Sequence, residues 1–376
     1  MTSRACNSIP PSLRKAWQEH ENRLSKLRNS SIMATTARAV VCHDTHANNG
    51  WKMQDVHVRK PKEGELLVEM VASGICHTDV LVGDMPAGAA PIAFYPRVLG
   101  HEGSGYVKAV GPGVTVAKEG DPILLSFAFC KKCTLCKAGH YSHCNDFMPL
   151  NFGDVNRSFG SKEGADDIGG CFFGQSSFGS LSVVQQCSVV NAKDLVKSKE
   201  ELELFAPLGC GIQTGSGTII NAAQATADDT VVITGLGGVG LSAVMGAAVQ
   251  KCKTIIGVDI VDSRLSLAKE MGATHVINSK NLPEGKTLVD VIKETTGGEG
   301  SSITVDTTGV PALIKQSVDW VRNRGKIIQV GSAPFDFKLE INVFEFMCSG
   351  KQFIGAIEGQ AYPPVSQNFL LNHGEV

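Results

Sequence analysis

The chain has 376 residues, of which 43% are apolar and 19% charged, and its 37 acidic and 35 basic residues give a net charge of -2. This length favours two domains, and the composition excludes an intrinsically disordered chain. Because like charges do not cluster along the chain, we expect neither nucleic acid nor an anionic membrane as a partner.

Residues 1–36 are predicted to form a disordered N-terminal extension, with Met33 as a candidate natural start. The segment is polar and lacks the apolar run of a secretory signal. The twelve cysteines of the chain lie at spacings that favour metal binding over a disulfide scaffold, which indicates a reducing compartment. We therefore expect the protein in the cytoplasm.

Residues 37–200 are predicted to form an irregular β-rich domain that carries the chemistry. Short runs rich in β-branched residues alternate here with Gly/Pro turns and with a long glycine-rich loop. The predicted strands cover residues 38–42, 65–72, 105–110, 122–126 and 181–189.

Residues 201–358 change to an alternation of strands and helices, which predicts an α/β domain with a doubly wound parallel sheet. Six strands are expected at residues 230–234, 254–259, 275–277, 303–306, 326–330 and 352–356. Residues 230–250 are uncharged and long enough to span a bilayer. Their glycines fit a strand, a tight turn and a buried helix better, so no membrane span is expected.

The glycine motif begins at the end of the first of these strands and has the G-x-G-x-x-G spacing of a dinucleotide site. Its residues are Gly235, Leu236, Gly237, Gly238, Val239 and Gly240. Asp259 ends the next strand, where a carboxylate would bind the adenosine ribose and repel a 2′-phosphate. NAD is therefore favoured over NADP, although Arg264 lies close by in the sequence.

A cysteine cluster in the β-rich domain predicts a structural metal site. Four thiolates at this spacing can surround one zinc ion tetrahedrally and leave no free position. An iron–sulfur cluster is the alternative. The predicted ligands are Cys130, Cys133, Cys136 and Cys144.

A second, open zinc site is predicted from Cys76, His101 and Cys210, which leave one tetrahedral position free for a substrate oxygen. Thr78 is the candidate hydroxyl for the first proton transfer. Asp79 would accept a hydrogen bond from the distal ring nitrogen of His101, and Glu102 would approach the metal from behind. Open zinc beside a dinucleotide indicates hydride transfer between an alcohol and a carbonyl.

Together these motifs resemble the zinc-dependent medium-chain alcohol dehydrogenases over residues 37–358, most of the chain. The resemblance implies a GroES-like catalytic domain, a Rossmann domain, NAD, two zinc ions in each subunit and a homodimer or homotetramer. It also implies that Thr214, Thr308 and Val330 line the nicotinamide pocket, and that His77 stands where many relatives bind pyrophosphate through arginine. Leu81 occupies the position of a proton-relay histidine, so the relay would end at Thr78 and the cofactor ribose, or use water.

Within the family, residues 74–79 and 208–215 resemble the aryl- or benzyl-alcohol branch, which includes fungal enzymes of secondary metabolism. The expected substrate is thus an aromatic or similarly bulky primary alcohol and its aldehyde. Residues 359–376 depart from the family: they form a short polar tail where relatives return to the catalytic domain.

Several alternatives stay open. The short tail motivates a non-catalytic protein that binds NAD and zinc, and a glutathione-dependent formaldehyde-type dehydrogenase shares the zinc design. A zinc-free quinone reductase would not need the three open-site ligands. A zinc-finger nucleic-acid binder would need a basic face beside the cysteine cluster.

Overall fold

The computed structural model describes residues 33–153, 157–163 and 165–373. Strand β1 spans Met33–Cys42, so it begins inside the segment 1–36 that the sequence predicts to be an extension. The prediction is wrong for residues 33–36, because Thr35 and Thr36 continue the antiparallel pairing of β1 with Val58 and His57. Residues 1–32 lie outside the described residues.

The β-rich domain consists of a closed barrel in the order β1-β2-β7-β8-β4 and a five-stranded sheet in the order β10-β6-β5-β3-β9. Its strands after β1 are β2 (Trp51–Arg59), β3 (Glu65–Gly74), β4 (Arg97–Val98), β5 (Glu102–Val110), β6 (Pro122–Leu125), β7 (Arg157–Gly160), β8 (Ile168–Gly169), β9 (Leu181–Gln185) and β10 (Val189–Asn191). Its helices are short: α1 (His77–Gly83), α2 (Thr134–Lys137), α3 (Phe147–Asn151) and α4 (Lys199–Leu204).

The strands predicted in this domain are confirmed, with one interruption. A 3-10 turn at Gln186–Ser188 divides the strand predicted over residues 181–189 into β9 and β10. The turn lets the chain leave β3, the partner of β9, and continue beside β6, the partner of β10.

The second domain contains a six-stranded sheet in which every neighbouring pair is parallel, in the order β13-β12-β11-β14-β15-β16. Helix α5 (Gly211–Gly217) leads into it through a π-helical turn, Thr218–Ala223. The remaining elements are β11 (Thr230–Thr234), α6 (Gly238–Val249), β12 (Thr254–Asp259), α7 (Asp262–Glu270), β13 (His275–Asn278), α8 (Leu288–Thr295), β14 (Ser301–Asp306), α9 (Pro311–Trp320), β15 (Val321–Gln329), α10 (Val343–Ser349) and β16 (Gln352–Gly355).

Both faces of this sheet are covered, as the doubly wound prediction requires. One core cluster joins β11 and β14 to α6 through Ala243, Val244 and Ala247. The other joins β11 and β12 to α8 and to the fully buried Trp320 of α9. Strand order reverses between β11 and β14, and ligands bind at such switch points in open α/β sheets.

The uncharged stretch at residues 230–250 forms β11 and α6, as predicted. Gly235 between them has a φ of 84°, a left-handed conformation that glycine adopts without strain. None of the helices in the described part of the chain is long and apolar enough to cross a membrane.

The prediction for the C-terminal segment is wrong. Residues 359–376 were expected to form a short polar tail that does not return to the catalytic domain. Pro363–His373 forms helix α11, begun by two prolines at positions where the missing N–H costs nothing. Leu370 and Leu371 pack in one cluster with Leu124 of β6, in the β-rich domain, and with Leu208. Tyr362 packs on Tyr141 in a tilted arrangement, with ring centroids 4.5 Å apart. The polar composition of the segment hid this short apolar face.

We expect truncation of this face to destabilise the protein. Leu370→Ala and Leu371→Ala should each lower the free energy of unfolding by about 1–2 kcal/mol, less than the 2–5 kcal/mol typical of fully buried leucines. Denaturant unfolding measures the change. Val365→Ala is the matched control, since Val365 is 62% exposed on the same helix and should cost under about 0.5 kcal/mol. Equal losses for all three variants would show that α11 does not dock as described.

Candidate active site and dinucleotide cleft

Three distant segments bring Cys76, His101 and Cys210 together. Cys76 precedes α1, His101 precedes β5, and Cys210 lies between a 3-10 turn and α5. Their ligand atoms all lie within 4.8 Å of one another, and the two sulfurs are 4.0 Å apart. Tetrahedral zinc with Zn–S bonds of about 2.3 Å would place two sulfurs about 3.8 Å apart. The Nε2 atom of His101 is buried and has no hydrogen-bond partner among the described residues, so the three side chains fit a metal ion.

Asp79 fixes this arrangement from behind. Its side chain is fully buried, and Oδ1 accepts from Nδ1 of His101 at 2.9 Å and from the Gly100 amide at 3.0 Å. Its other oxygen, Oδ2, accepts from the Cys76 amide at 2.9 Å. Because Nδ1 is bonded to a carboxylate, Nε2 is the nitrogen that faces the two sulfurs. Asp79 therefore connects the backbone of one ligand to the ring of another.

The Cys210 thiol donates a hydrogen bond to the Cys76 sulfur at 4.0 Å, so one proton lies between the two sulfurs in this geometry. The hydrogen bond from Cys210 lowers the pKa of Cys76 to about 3, while the same bond, with burial, raises the pKa of Cys210 well above its usual range. A divalent cation stabilises both thiolates and takes the place of that proton. The pair therefore has the chemistry of a metal-ligand set.

The other predicted catalytic residues surround the three ligands. The half-buried Thr78 has its hydroxyl 3.8 Å from the Cys76 sulfur. Glu102 is buried, and its Oε1 accepts from the Gly211 amide at 3.3 Å. Burial, reinforced by the charge of Cys76, raises the pKa of Glu102 to about 7. Leu81 is half-buried on the same helix as Thr78.

An aromatic wall beside His101 was missed by the sequence reasoning. Phe173 stacks on the imidazole with centroids 4.4 Å apart, and Phe172 meets it edge-on at 5.5 Å. Cys171, Phe173 and Ser176 in this loop have φ values of 56°, 52° and 54°, which cost about 1–3 kcal/mol each outside glycine. The sequence did contain one signal for these rings: two adjacent phenylalanines followed by a glycine. They lie in the loop that the sequence analysis described only as glycine-rich.

Hydrogen bonds hold that strained loop against the ligand. Gln175 donates from Nε2 to the His101 carbonyl at 2.7 Å and accepts the Gly103 amide on Oε1 at 3.0 Å. Ser176 donates to the Val98 carbonyl at 2.8 Å. The loop thus fixes the residues on both sides of His101 and holds the aromatic rings next to the metal site.

The four-cysteine lobe fits a single ion. All four sulfurs lie within 4.8 Å of one another, with Cys130–Cys136 at 3.9 Å and Cys133–Cys144 at 4.0 Å. The backbone amide of Cys133 donates to the Cys130 sulfur, and that of Cys136 donates to the Cys133 sulfur. Hydrogen bonds from backbone amides lower the pKa of Cys133 to about 6. An iron–sulfur cluster would hold its cysteines further apart, so this geometry favours zinc.

The glycine motif forms the turn between β11 and α6, beside the reversal of strand order. A Cβ on Gly240 would lie 1.8 Å from the Gly235 carbonyl, so this position must be glycine for the strand and helix to pack. Gly237 and Gly238 face open space at the N-terminus of α6, where backbone can approach a pyrophosphate. Leu236 is fully buried under the turn, and Val239 is half-buried behind it.

Asp259 ends β12 at the predicted ribose position. Its carboxylate accepts from the amides of Leu236, Ile260 and Val261. The guanidinium of Arg264 lies 3.6 Å from Asp259 Oδ2 and is 52% exposed. The carboxylate is therefore held by backbone, and Arg264 is free to move toward a ligand at the rim.

The remaining predicted cofactor residues lie at or near the ends of strands and helices. Thr214 is on α5, one turn after Cys210, and its amide donates to the Cys210 carbonyl at 2.8 Å. The Thr308 hydroxyl donates to Asp306 at 2.7 Å, and Val330 packs against the sheet core just past β15. His77 is exposed at the first position of α1. Of these residues, Thr308 lies directly against the glycine motif, since a Cβ on Gly235 would lie 2.7 Å from its methyl group.

Comparison with known proteins identifies the family. Residues 62–200 match the alcohol dehydrogenase GroES-like domain, and residues 238–370 match the zinc-binding dehydrogenase domain. The geraniol dehydrogenase of Castellaniella defragrans is 37% identical over 314 residues, which cover 83% of this chain and 81% of that protein. The chain belongs to the zinc-dependent medium-chain alcohol dehydrogenase family.

Other relatives extend the comparison. The crystal structure of benzyl alcohol dehydrogenase from Acinetobacter calcoaceticus matches with a TM-score of 0.80 and 37% identity, covering 91% of this chain and 90% of that chain. An S-(hydroxymethyl)glutathione dehydrogenase of Candida maltosa is 31% identical over 352 residues, 90% of this chain and 89% of that protein. The family confirms an oxidoreductase acting on alcohols and implies zinc and NAD(P).

Removing the Asp79 charge should weaken the metal site. Asp79→Asn keeps the shape but loses the carboxylate that orients His101, so zinc affinity at the three ligands should fall about 10–100-fold. Zinc retained after dialysis against a graded chelator measures the change. Asp84→Asn is the control, because Asp84 accepts from the His46 amide at the opposite end of α1. Unchanged retention in Asp79→Asn would contradict the role of this contact.

Proposed function

We propose that this alcohol dehydrogenase interconverts an aromatic or similarly bulky primary alcohol and its aldehyde, with zinc and NAD. The observation that carries the proposal is the three-ligand site, whose ligand Cys210 leads into a helix that packs directly on the glycine motif at Val239. Cys76, His101 and Cys210 would hold the catalytic zinc. Cys130, Cys133, Cys136 and Cys144 would hold a second, structural zinc.

The chain's own residues perform orientation and proton transfer. When bound, zinc supplies Lewis acidity toward the alcohol oxygen, and the nicotinamide ring supplies the acceptor for the hydride of the alcohol carbon. Thr78 accepts the hydroxyl proton of the substrate, since its own hydroxyl lies beside Cys76. Asp79 keeps the His101 ring fixed during the reaction. The Thr78 hydroxyl gives up its own proton as it accepts that of the substrate. Because Leu81 offers no acceptor, this proton goes to the cofactor ribose or to water.

The named relatives support an unsaturated substrate. Phe172 and Phe173 are 0% and 3% exposed and pack on the His101 ring, so they hold this metal ligand in place and do not line the substrate site. Relatives named for geraniol and benzyl alcohol have substrates with unsaturation next to the hydroxymethyl carbon. The relatives named for S-(hydroxymethyl)glutathione keep that substrate as the alternative.

The structure removes the reason for proposing a non-catalytic protein that binds NAD and zinc. It rested on a C-terminal segment that does not return to the catalytic domain, whereas α11 packs on that domain. A cytoplasmic location and a role in fungal secondary metabolism stay predictions.

We also propose self-association through the outer edge of the parallel sheet. Around α10, Val343, Phe344 and Met347 are 75%, 70% and 67% exposed, and Phe335 nearby is 77% exposed. Beside them, β16 is an edge strand whose outer side pairs with no described strand. An exposed apolar patch next to an open strand edge fits a second copy of this chain.

The substrate proposal predicts selective loss in one variant. Cys76→Ser should lower turnover of benzyl alcohol at least about 1000-fold, because Lewis-acid stabilisation is worth several kcal/mol. NAD affinity, measured by calorimetry, should not change, since Cys76 lies outside the glycine motif. Cys348→Ser is the control, as Cys348 is exposed and outside both metal sets. The substrate preference of the wild-type protein tests the aromatic assignment itself. Its kcat/KM should be higher for benzyl alcohol than for ethanol or S-(hydroxymethyl)glutathione. The reverse order would refute the aromatic assignment.

The coenzyme preference gives a separate prediction. Asp259→Asn removes the charge that repels a 2′-phosphate but keeps an oxygen acceptor, so the ratio of kcat/KM for NAD to that for NADP should fall about tenfold or more. Steady-state kinetics with both coenzymes measures the ratio. Asp262→Asn serves as the control, because Asp262 accepts from Asn278 and begins α7. An unaltered ratio in Asp259→Asn would show that another group selects the coenzyme.

A further inference from the structure

The turn that follows β16 is strained at a point facing the metal site. Glu358, Gly359 and Gln360 have φ values of 53°, 61° and 50°, three successive left-handed residues of which only one is glycine. Non-glycine residues in this region persist only where surrounding structure enforces them, and they concentrate at functional sites. Here the enforcement is close packing: a Cβ on Gly359 would lie 2.3 Å from the Gln213 carbonyl.

The turn carries a carboxylate into the molecule. Glu358 is 4% exposed, and Oε2 accepts from Nε2 of Gln213 at 3.0 Å. Among the described residues it forms no salt bridge. Burial raises its pKa to about 7, and the charges of His101, Cys76 and Glu102 also act on it. The carboxylate therefore lies within electrostatic range of the metal ligands although it is not one of them.

Gln213 connects the Glu358 carboxylate to the segment that carries the metal ligand Cys210. Its Nε2 lies 2.8 Å from the Gly209 carbonyl and 2.8 Å from the Ser126 hydroxyl. Ser126 in turn donates to the same Gly209 carbonyl at 2.7 Å. Gly209 packs so closely on β6 that a Cβ there would lie 1.7 Å from the Leu125 carbonyl, so only glycine fits at this position. The peptide that leads into Cys210 is thus held from the β-rich domain by Ser126 and from the nucleotide domain by Glu358.

We propose that Glu358 is a positioning residue for the Cys76/His101/Cys210 site: its carboxylate holds Gln213, and Gln213 holds the Gly209 carbonyl that sets the direction of Cys210. The contact joins the last strand of the parallel sheet to the metal site across the domain junction. This inference rests on the proposed function, since it concerns the residues that would hold the catalytic zinc.

The rate of zinc transfer from the loaded protein to a colorimetric chelator tests the proposal. Glu358→Ala should release the zinc at the three ligands about tenfold faster or more, comparable to the loss of other groups that orient metal ligands, with the four-cysteine zinc unaffected. Glu358→Gln keeps an oxygen for Gln213 and should stay within about threefold of wild type. Combining Glu358→Ala with Gln213→Ala should add little, because both act through one contact.

Asn221→Ala is the matched control. Asn221 donates to the Gly359 carbonyl at 3.0 Å and so supports the same turn without reaching Gly209. Faster release in Asn221→Ala equal to that in Glu358→Ala would overturn the proposal, as would a wild-type rate in Glu358→Ala. Either result would indicate that Glu358 does not position the metal ligands and contributes at most to general packing.

A spectroscopic variant keeps the proposal testable if Glu358→Ala does not fold. Glu358→Asp retains the charge but withdraws the carboxylate by one methylene, so cobalt placed at the three ligands should show shifted ligand-field bands. The spectrum of Glu358→Gln should match that of wild type, and a wild-type spectrum for Glu358→Asp would contradict the inference. Wild-type protein that binds no metal at Cys76, His101 and Cys210 would instead refute the proposed function.

Discussion

The buried carboxylate of Asp79 is the constraint on which the site depends. It accepts hydrogen bonds from the Cys76 amide, the Gly100 amide and the ring of His101, which come from the ends of β3 and β5. A buried charge without compensation is strongly unfavourable, so these three donors must converge wherever the carboxylate is placed. Their convergence orients two metal ligands before any ion binds. The Phe173 stack and the Gln175 amide then limit the remaining movement of His101.

The third ligand depends on the domain junction. Cys210 leads into α5, and α5 packs on α6 so closely that a Cβ on Gly215 would lie 2.0 Å from the Val239 carbonyl. The helix that begins at the glycine motif therefore contacts the helix that begins at a metal ligand. This packing keeps the metal site and the dinucleotide cleft at a fixed separation, which hydride transfer between them requires. The same junction receives Glu358 from the far end of the sheet.

Local spacing made much of this architecture predictable. Residues 235–240 form their site within one turn, and the four cysteines of residues 130–144 form theirs within one short segment, so neighbours in the sequence are also neighbours in space. Asp79 was also predictable, because it lies three residues from Cys76 on one helical turn. The aromatic wall, the Gln213 contacts and the docking of α11 were not. Each depends on residues far apart in the chain, such as Gln213 and Glu358, whose pairing appears only once both domains are folded.

The central claim is that two sulfurs and one imidazole hold a divalent ion with one position left for substrate. Anomalous diffraction at the zinc edge, from crystals grown with zinc, NADH and a benzyl alcohol analogue, tests it directly. The account predicts two zinc peaks, one of them about 2.0–2.3 Å from the ligand atoms of Cys76, His101 and Cys210, with an oxygen of the analogue as its fourth ligand. A single peak at the four-cysteine lobe, or Glu102 occupying the fourth position in that complex, would contradict it.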